Sequence, residues 1–428
     1  MAKLQKRADS ISTTVLSNGL KIITESMPGA RSVSMGLWIR SGSRREQAAE
    51  SGISHFIEHM LFKGTEKRGT QEIARELDTI GGYSDAFTGK ELVSYNAKVL
   101  EEHVPIAFDI LSDMVMRPKF DATELQKEKG VVLEEIKMDL DNPESQTHEL
   151  FCRKYWMEDA LGWPILGTPK TVRSFTREMA VDYWGRHYVA SNMLVTAAGK
   201  VNHDRFVKMI EATMGAMPKT KPLPALPAVN VFPQIALRDK ASLEQVQMCI
   251  AAPTYPMGHE RRFSCYIMNS ILGNGMSSRL FQNIRERQGL AYHISSDLTL
   301  YRDSGAMAIY AGTSPATLRR VVESVMQELR ALKEGPITEE EMRRAKDNSK
   351  ASVVLSLEST SSRMSNLARQ DLFFGRFLDI EEIIERIEGV SADDVRSIAQ
   401  TFLKPEDLAL TVVGPVAGQK FTRRDLVC

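Results

Sequence analysis

The sequence predicts an α+β protein of two homologous domains, each a mainly antiparallel β-sheet with helices packed on one face. Three observations carry this. Short runs of alternating apolar and polar residues are interleaved with amphipathic helical periods, the pattern of layered sheet and helix. The stretch Asn192-Met193-Leu194-Val195-Thr196-Ala197-Ala198-Gly199-Lys200-Val201 resembles Asp407-Leu408-Ala409-Leu410-Thr411-Val412-Val413-Gly414-Pro415-Val416, so 192 aligns with 407, a shift of 215 in a chain of 428. Thr176 and Ser391, each ahead of a helical period, align at the same shift. Between the copies Pro218, Pro222, Pro224, Pro227 and Pro233 form a semi-extended linker, because proline fixes φ. The expected division is 1–217, a linker at 218–233, and 234–428.

Taken in order, strands are expected at 20–25 and 32–40. In the second, Val33, Met35, Leu37 and Ile39 alternate with Ser34, Gly36, Trp38 and Arg40. A turn-rich stretch, 41–52, leads to a helix over 53–62, where Ile53, Phe56, Ile57, Met60 and Leu61 make one apolar face and Gly64 supplies the stop. Thr70 is the expected N-cap of the next helix, which turns Ile73, Leu77 and Ile80 inward and ends at Gly81-Gly82. A strand at 92–100 and a helix at 104–116 follow. Asp121-Ala122-Thr123-Glu124 reads as a capping box for a long helix to about residue 140, broken by Asn142-Pro143. Helices at 144–155 and 177–188 and an apolar strand at 193–198 close the first half. In the second half, 266–273 occupies the place of the first helix, without a histidine.

Lys and Arg number 55 and Asp and Glu 55, so no global field favours nucleic acid or an anionic membrane. No apolar run is long enough to span a bilayer. The basic start Met1-Ala2-Lys3-Leu4-Gln5-Lys6-Arg7 precedes no apolar segment, so no secretory signal is expected. Cys152, Cys249, Cys265 and Cys428 are scattered, which points to thiols in a reducing compartment, the cytoplasm or an organelle matrix.

The chemistry concentrates in His55-Phe56-Ile57-Glu58-His59. Four residues apart on a helix, His55 and His59 project from one side, and Glu58 shares it. Two imidazoles one turn apart suit Zn²⁺, which needs a third protein ligand and a position for water. The metal lowers the pKa of that water toward about 7, and Glu58 is the candidate general base. For the third ligand, Glu135 shares a helix face with Val131, Val132 and Met138, and a carboxylate on an apolar face is costly unless paired or bound to metal. Glu134 is the alternative, on a side shared with Gly130 and Lys137. Glu128, two turns before Glu135, could hydrogen-bond a ligating histidine.

The text Gly52-Ile53-Ser54-His55-Phe56-Ile57-Glu58-His59-Met60-Leu61-Phe62-Lys63-Gly64-Thr65, with Val131-Val132-Leu133-Glu134-Glu135-Ile136, resembles the pitrilysin/insulinase superfamily of inverted-motif zinc peptidases. The resemblance is to the short form that includes mitochondrial processing peptidase and bacterial relatives. It implies Glu135 as third ligand and a role for Glu128. It also implies that Arg285 and Tyr292 are the family's Arg/Tyr pair, able to donate to the scissile carbonyl and neighbouring peptide. The segment 82–91 would contain an edge strand that takes peptide by main-chain hydrogen bonds, with Asp85, Ala86, Phe87 and Thr88 at the contact. Asp85 stands where the family usually has Asn, and an ionised Asp cannot donate. Glu149 matches a position that reads a basic residue near the cut, with Glu144 nearby, although Ser145 occupies another such position. The family closes four α+β units into a hollow clamshell. Two units per chain imply a dimer, and both motifs in one chain favour a homodimer acting on unfolded peptides. A catalytic subunit with a different partner, and a non-catalytic structural member, are the other readings.

Overall fold

Six strands make the first sheet: β1 (Ile11–Val15), β2 (Lys21–Ser26), β3 (Ser32–Ile39), β4 (Tyr83–Thr88), β5 (Val93–Leu100) and β6 (Met193–Gly199), ordered β1-β2-β6-β3-β5-β4. The computed structural model describes residues 10–428, so the basic start lies outside the described residues. Neighbouring strands are antiparallel except β2 and β6, which are parallel. The alternation in β3 sorts its side chains as the pleat requires. Val33, Met35, Leu37 and Ile39 join the main core, while Trp38 packs on the opposite face.

Against the main-core face lie α1 (Ile53–Leu61), α2 (Thr70–Thr79), α3 (Val104–Met116) and α4 (Ala122–Asp141). Thr70 is not the N-cap of α2. Gly69 is, because the Glu72 carboxylate reaches back to accept its N–H at 2.7 Å. Asp121 does cap α4, accepting from the N–H groups of Thr123 and Glu124 at 2.8 and 3.2 Å.

The second sheet contains β7 (Ile235–Asp239), β8 (Val246–Pro253), β9 (His293–Leu300), β10 (Gly305–Thr313) and β11 (Ala409–Gly414), ordered β7-β11-β8-β10-β9. It repeats the first without a β1 equivalent. β6 and β11 each lie between one parallel and one antiparallel neighbour. Thr176 and Ser391 cap equivalent helices, accepting from Met179 N–H at 3.2 Å and Asp394 N–H at 3.1 Å. Helix Arg262–Leu272 follows β8 as α1 follows β3. Neither helix nor strand occurs between Met214 and Ile235.

Each compact unit is assembled from three stretches of chain. One contains 10–137, 163–227 and 354–379, the other 138–162, 228–353 and 380–428. The exchanged stretches carry helices that cover the far faces of the sheets. In the first unit, helix Thr360–Phe374 places Met364, Leu367 and Ala368 against Ile23, Trp38, Leu194 and Ala198. In the second, α5 (Pro143–Tyr155) places Phe151, Cys152 and Tyr155 against Cys249, Ala251, Ala308 and Ala409. No helix among the described residues is long and apolar enough to cross a membrane.

Candidate metal centre

The elements that carry the site are set by close backbone packing. Gly52 precedes α1 at φ 94°, and a Cβ there would lie 2.7 Å from the Leu166 carbonyl oxygen. Gly167 faces it at φ +75°, and its Cβ would lie 2.3 Å from the Ser51 carbonyl oxygen. Only glycine fits both the left-handed backbone and the gap. Ile53, Phe56, Ile57, Met60 and Leu61 are buried, which fixes the rotation of α1 and leaves His55, Glu58 and His59 on its other side.

α4 brings Glu135 to this side. Its Oε2 lies 3.7 Å from His55 Nε2, and its Oε1 3.6 Å from His59 Nε2. One ligand atom from each residue lies within 4.8 Å of the others, and no other such group of His, Cys, Asp or Glu occurs among the described residues. These separations are too long for hydrogen bonds. They approach the spacing of about 3.4 Å between ligands on a tetrahedral ion with bonds of about 2.1 Å. Glu135 Oε2 and His55 Nδ1 are buried without hydrogen-bond partners. An unpaired carboxylate oxygen aimed at an imidazole nitrogen fits a site that takes a cation.

The surroundings favour the ligand forms. Burial, with His59 adding to it, pushes the His55 imidazole down to about 4, so it is neutral at pH 7 and offers a lone pair. His59 Nδ1 lies 3.1 Å from Glu128 Oε2, and Lys63 Nζ lies 2.8 Å from Glu128 Oε1. Donation from Nδ1–H to Glu128 fixes the tautomer that turns the bare Nε2 toward Glu135. Burial raises the Glu58 carboxyl above its ordinary value; Thr88 and His59 oppose this, while Asp85 and Glu135 reinforce it. The Thr88 hydroxyl donates to Glu58 Oε2.

Glu135 thus reaches the histidines, but not from an apolar buried face. Val131 is 44% exposed and Met138 72% exposed; only Val132 of the three is in the core. The apolar face expected around Glu135 is absent on that side of α4. α4 packs through Leu125, Glu128, Val132 and Ile136, and Glu135 lies beside that stripe. Glu134 is turned away in an exposed ion pair with Lys137 at 2.7 Å.

Among the described residues β4 bonds only to β5, which leaves its other edge without a paired strand. Asp85 and Phe87 are exposed on it, Ala86 and Thr88 partly buried. In the second unit, Arg285 lies in a π-helical turn, Phe281–Arg287, with its guanidinium 4.5 Å from the Phe281 ring centroid and 5.2 Å from that of Tyr292. Tyr292 is 82% exposed. Glu149 is partly buried on α5, and Glu144 is exposed in its first turn. Lys63, one turn beyond His59, is a contact the sequence reading missed, and its i+4 spacing was the available signal.

The first half and most of the second match two models of one family. Residues 21–169 match the insulinase model of peptidase family M16, and 174–349 match the peptidase M16 inactive domain. The chain belongs to the M16 peptidase family, in its short two-unit form. It is 39% identical to a Bacillus subtilis protein named uncharacterized zinc protease YmxG, over 93% of this chain and 97% of that one. It is 34% identical to a protein of Streptomyces coelicolor also named an uncharacterized zinc protease, over 97% and 92%. Its fold is similar to that of a protease from Helicobacter pylori, with TM-score 0.87 at 20% identity over 94% of this chain and 99% of that one. It is also similar to a chain in the structure of complex III2 from Candida albicans, with TM-score 0.84 at 20% identity over 97% and 98%.

Proposed function

We propose that this chain is a zinc-dependent endopeptidase that hydrolyses unfolded peptides or precursor segments within the chamber of a homodimer. The convergence of His55, His59 and Glu135, with Glu58 on the same helix as the histidines, carries the reading. Zinc bound to the three would supply Lewis acidity and water acidified enough to be activated near neutral pH. Glu58 takes the proton of the attacking water and returns it to the leaving amine. Thr88 holds the orientation of Glu58. Glu128 holds His59 in the ligating tautomer.

The edge of β4 without a paired strand suits an extended peptide added by main-chain hydrogen bonds, with Asp85, Ala86, Phe87 and Thr88 at the contact. Arg285 and Tyr292, both surface groups with donors to offer, would stabilise the oxyanion. Glu149 is assigned to the preference for a basic side chain. The likeness of fold to a chain in complex III2 favours a second reading, a non-catalytic member, against which the preserved three-ligand group argues.

The test compares wild type with Glu58→Gln on an internally quenched fluorescent peptide, with zinc content measured in both. The variant is expected to retain zinc and to lose cleavage by roughly three orders of magnitude or more. Cleavage at the wild-type rate would remove Glu58 from the reaction.

A further inference from the structure

Glu46, in the irregular stretch before α1, is a buried acid with no part in the chemistry above. Its carboxylate accepts the Gly52 N–H at 2.8 Å through Oε2 and the Ser54 N–H at 2.9 Å through Oε1. These belong to the cap and second residue of α1, so the acid ends two amide rows that the helix cannot satisfy itself. His55 is the next residue. Ser54 is held from a second side, its hydroxyl 2.9 Å from the Tyr183 hydroxyl.

The other end of the same stretch is fastened to the β4–β5 hairpin. Ser43 N–H donates to Gly89 O at 3.1 Å, and Arg44 N–H to Lys90 O at 2.8 Å. The Arg44 guanidinium pairs with Glu91 at 2.7 Å. Gly42 lies so close that a Cβ would be 2.2 Å from Gly89 O. Glu46 N–H then donates to Ser43 O at 3.2 Å. A path of hydrogen bonds therefore runs from the hairpin through Glu46 to the start of α1. Thr88, at the head of the hairpin, closes the circuit on Glu58.

We infer that Glu46 is a positioning residue: it fixes α1, and with it His55 and Glu58, against the hairpin that ends β4. This rests on the zinc-peptidase reading only for its catalytic consequence; the positioning itself is a property of the chain. Gln is nearly isosteric but has one acceptor oxygen, so Glu46→Gln turns an NH₂ toward one of the two N–H groups.

Three measurements on full-length Glu46→Gln test this, with Ile210→Val as the control because it removes one methylene from the same core. Amide hydrogen exchange is expected to speed up across 50–62 and not across 104–116. Zinc release to a competing chelator is expected to accelerate by about tenfold or more, the range for groups that support ligands. kcat is expected to fall by a similar factor with KM within about threefold, since the peptide strand is intact. The control is expected to lower the melting temperature without these changes. Unchanged exchange across 50–62, or equal changes in the control, would overturn the inference. Failure of the peptidase reading appears separately, as absence of peptide cleavage by the zinc-loaded wild-type protein.

Discussion

Gly167 and Gly52 pack backbone against backbone, so a methyl group on either must displace a peptide unit rather than a side chain. Gly167→Ala is expected to cost about 3 kcal/mol, combining left-handed strain with the overlap on Ser51 O, and urea unfolding measures it. His187 makes a second residue-scale prediction. Its Nδ1 lies 2.8 Å from Ser41 Oγ, its ring stacks on Tyr183 at 4.1 Å, and burial pushes it down to about 4. Between that value and the unfolded 6.5 the unfolded chain binds the extra proton, so stability is full above pH 6.5 and declines as pH falls. The loss is at most about 3 kcal/mol. In metal-free protein, the melting temperature is expected to fall from pH 7 to pH 5, and His187→Asn to reduce that slope; His55 titrates in the same sense. At this scale His55, Glu58 and His59 were legible because helical spacing is local. For Glu135 the apolar face expected from Val131 and Met138 is absent, which leaves the family resemblance as the signal that points to it. Glu46 was illegible because no periodicity links an irregular stretch to the amides it caps.

Helix Thr360–Phe374 shows what a single element contributes. Its Asp371 pairs with Lys21 and, at 2.9 Å, with Arg40, and its Arg363 pairs with the buried Glu25. Gly36 in β3 makes room for it, since a Cβ there would lie 2.7 Å from Met364 Sδ. Arg363→Met is expected to destabilise the protein by about 1 kcal/mol or more, because it removes a charged hydrogen bond to the buried Glu25 carboxylate. Denaturant titration against wild type decides it. Elements with wide apolar stripes were readable even without a side-chain N-cap: α3 has the expected bounds, and α1 ends one residue early. β4 was not readable from periodicity. An edge strand that leaves Tyr83 68% and Phe87 42% exposed lacks the apolar-in pattern of a half-buried strand.

For the whole molecule, the repeat was visible because β6 and β11 are buried on both faces and therefore keep similar apolar sequences. The exchange of helices was not, since an amphipathic face announces that a helix is buried but not which sheet receives it. Residues 1–227 expressed alone would leave Ile23, Trp38, Leu194 and Ala198 uncovered. That fragment is expected to bind a hydrophobic dye and to lack a single cooperative thermal transition, whereas a cooperative, dye-silent fragment would show the far face needs no cover. The proposed homodimer predicts a sedimentation mass of twice the chain, with cleavage activity in that species alone.

The alternation of three stretches with three means that the polypeptide passes between units five times, after residues 137, 162, 227, 353 and 379. A protease that nicks the proline-rich stretch severs one of these crossings and leaves four. The two fragments of a clipped molecule are expected to stay associated, because each supplies a stretch to both compact units, so a band pattern of two fragments on a denaturing gel would coexist with an undiminished native mass.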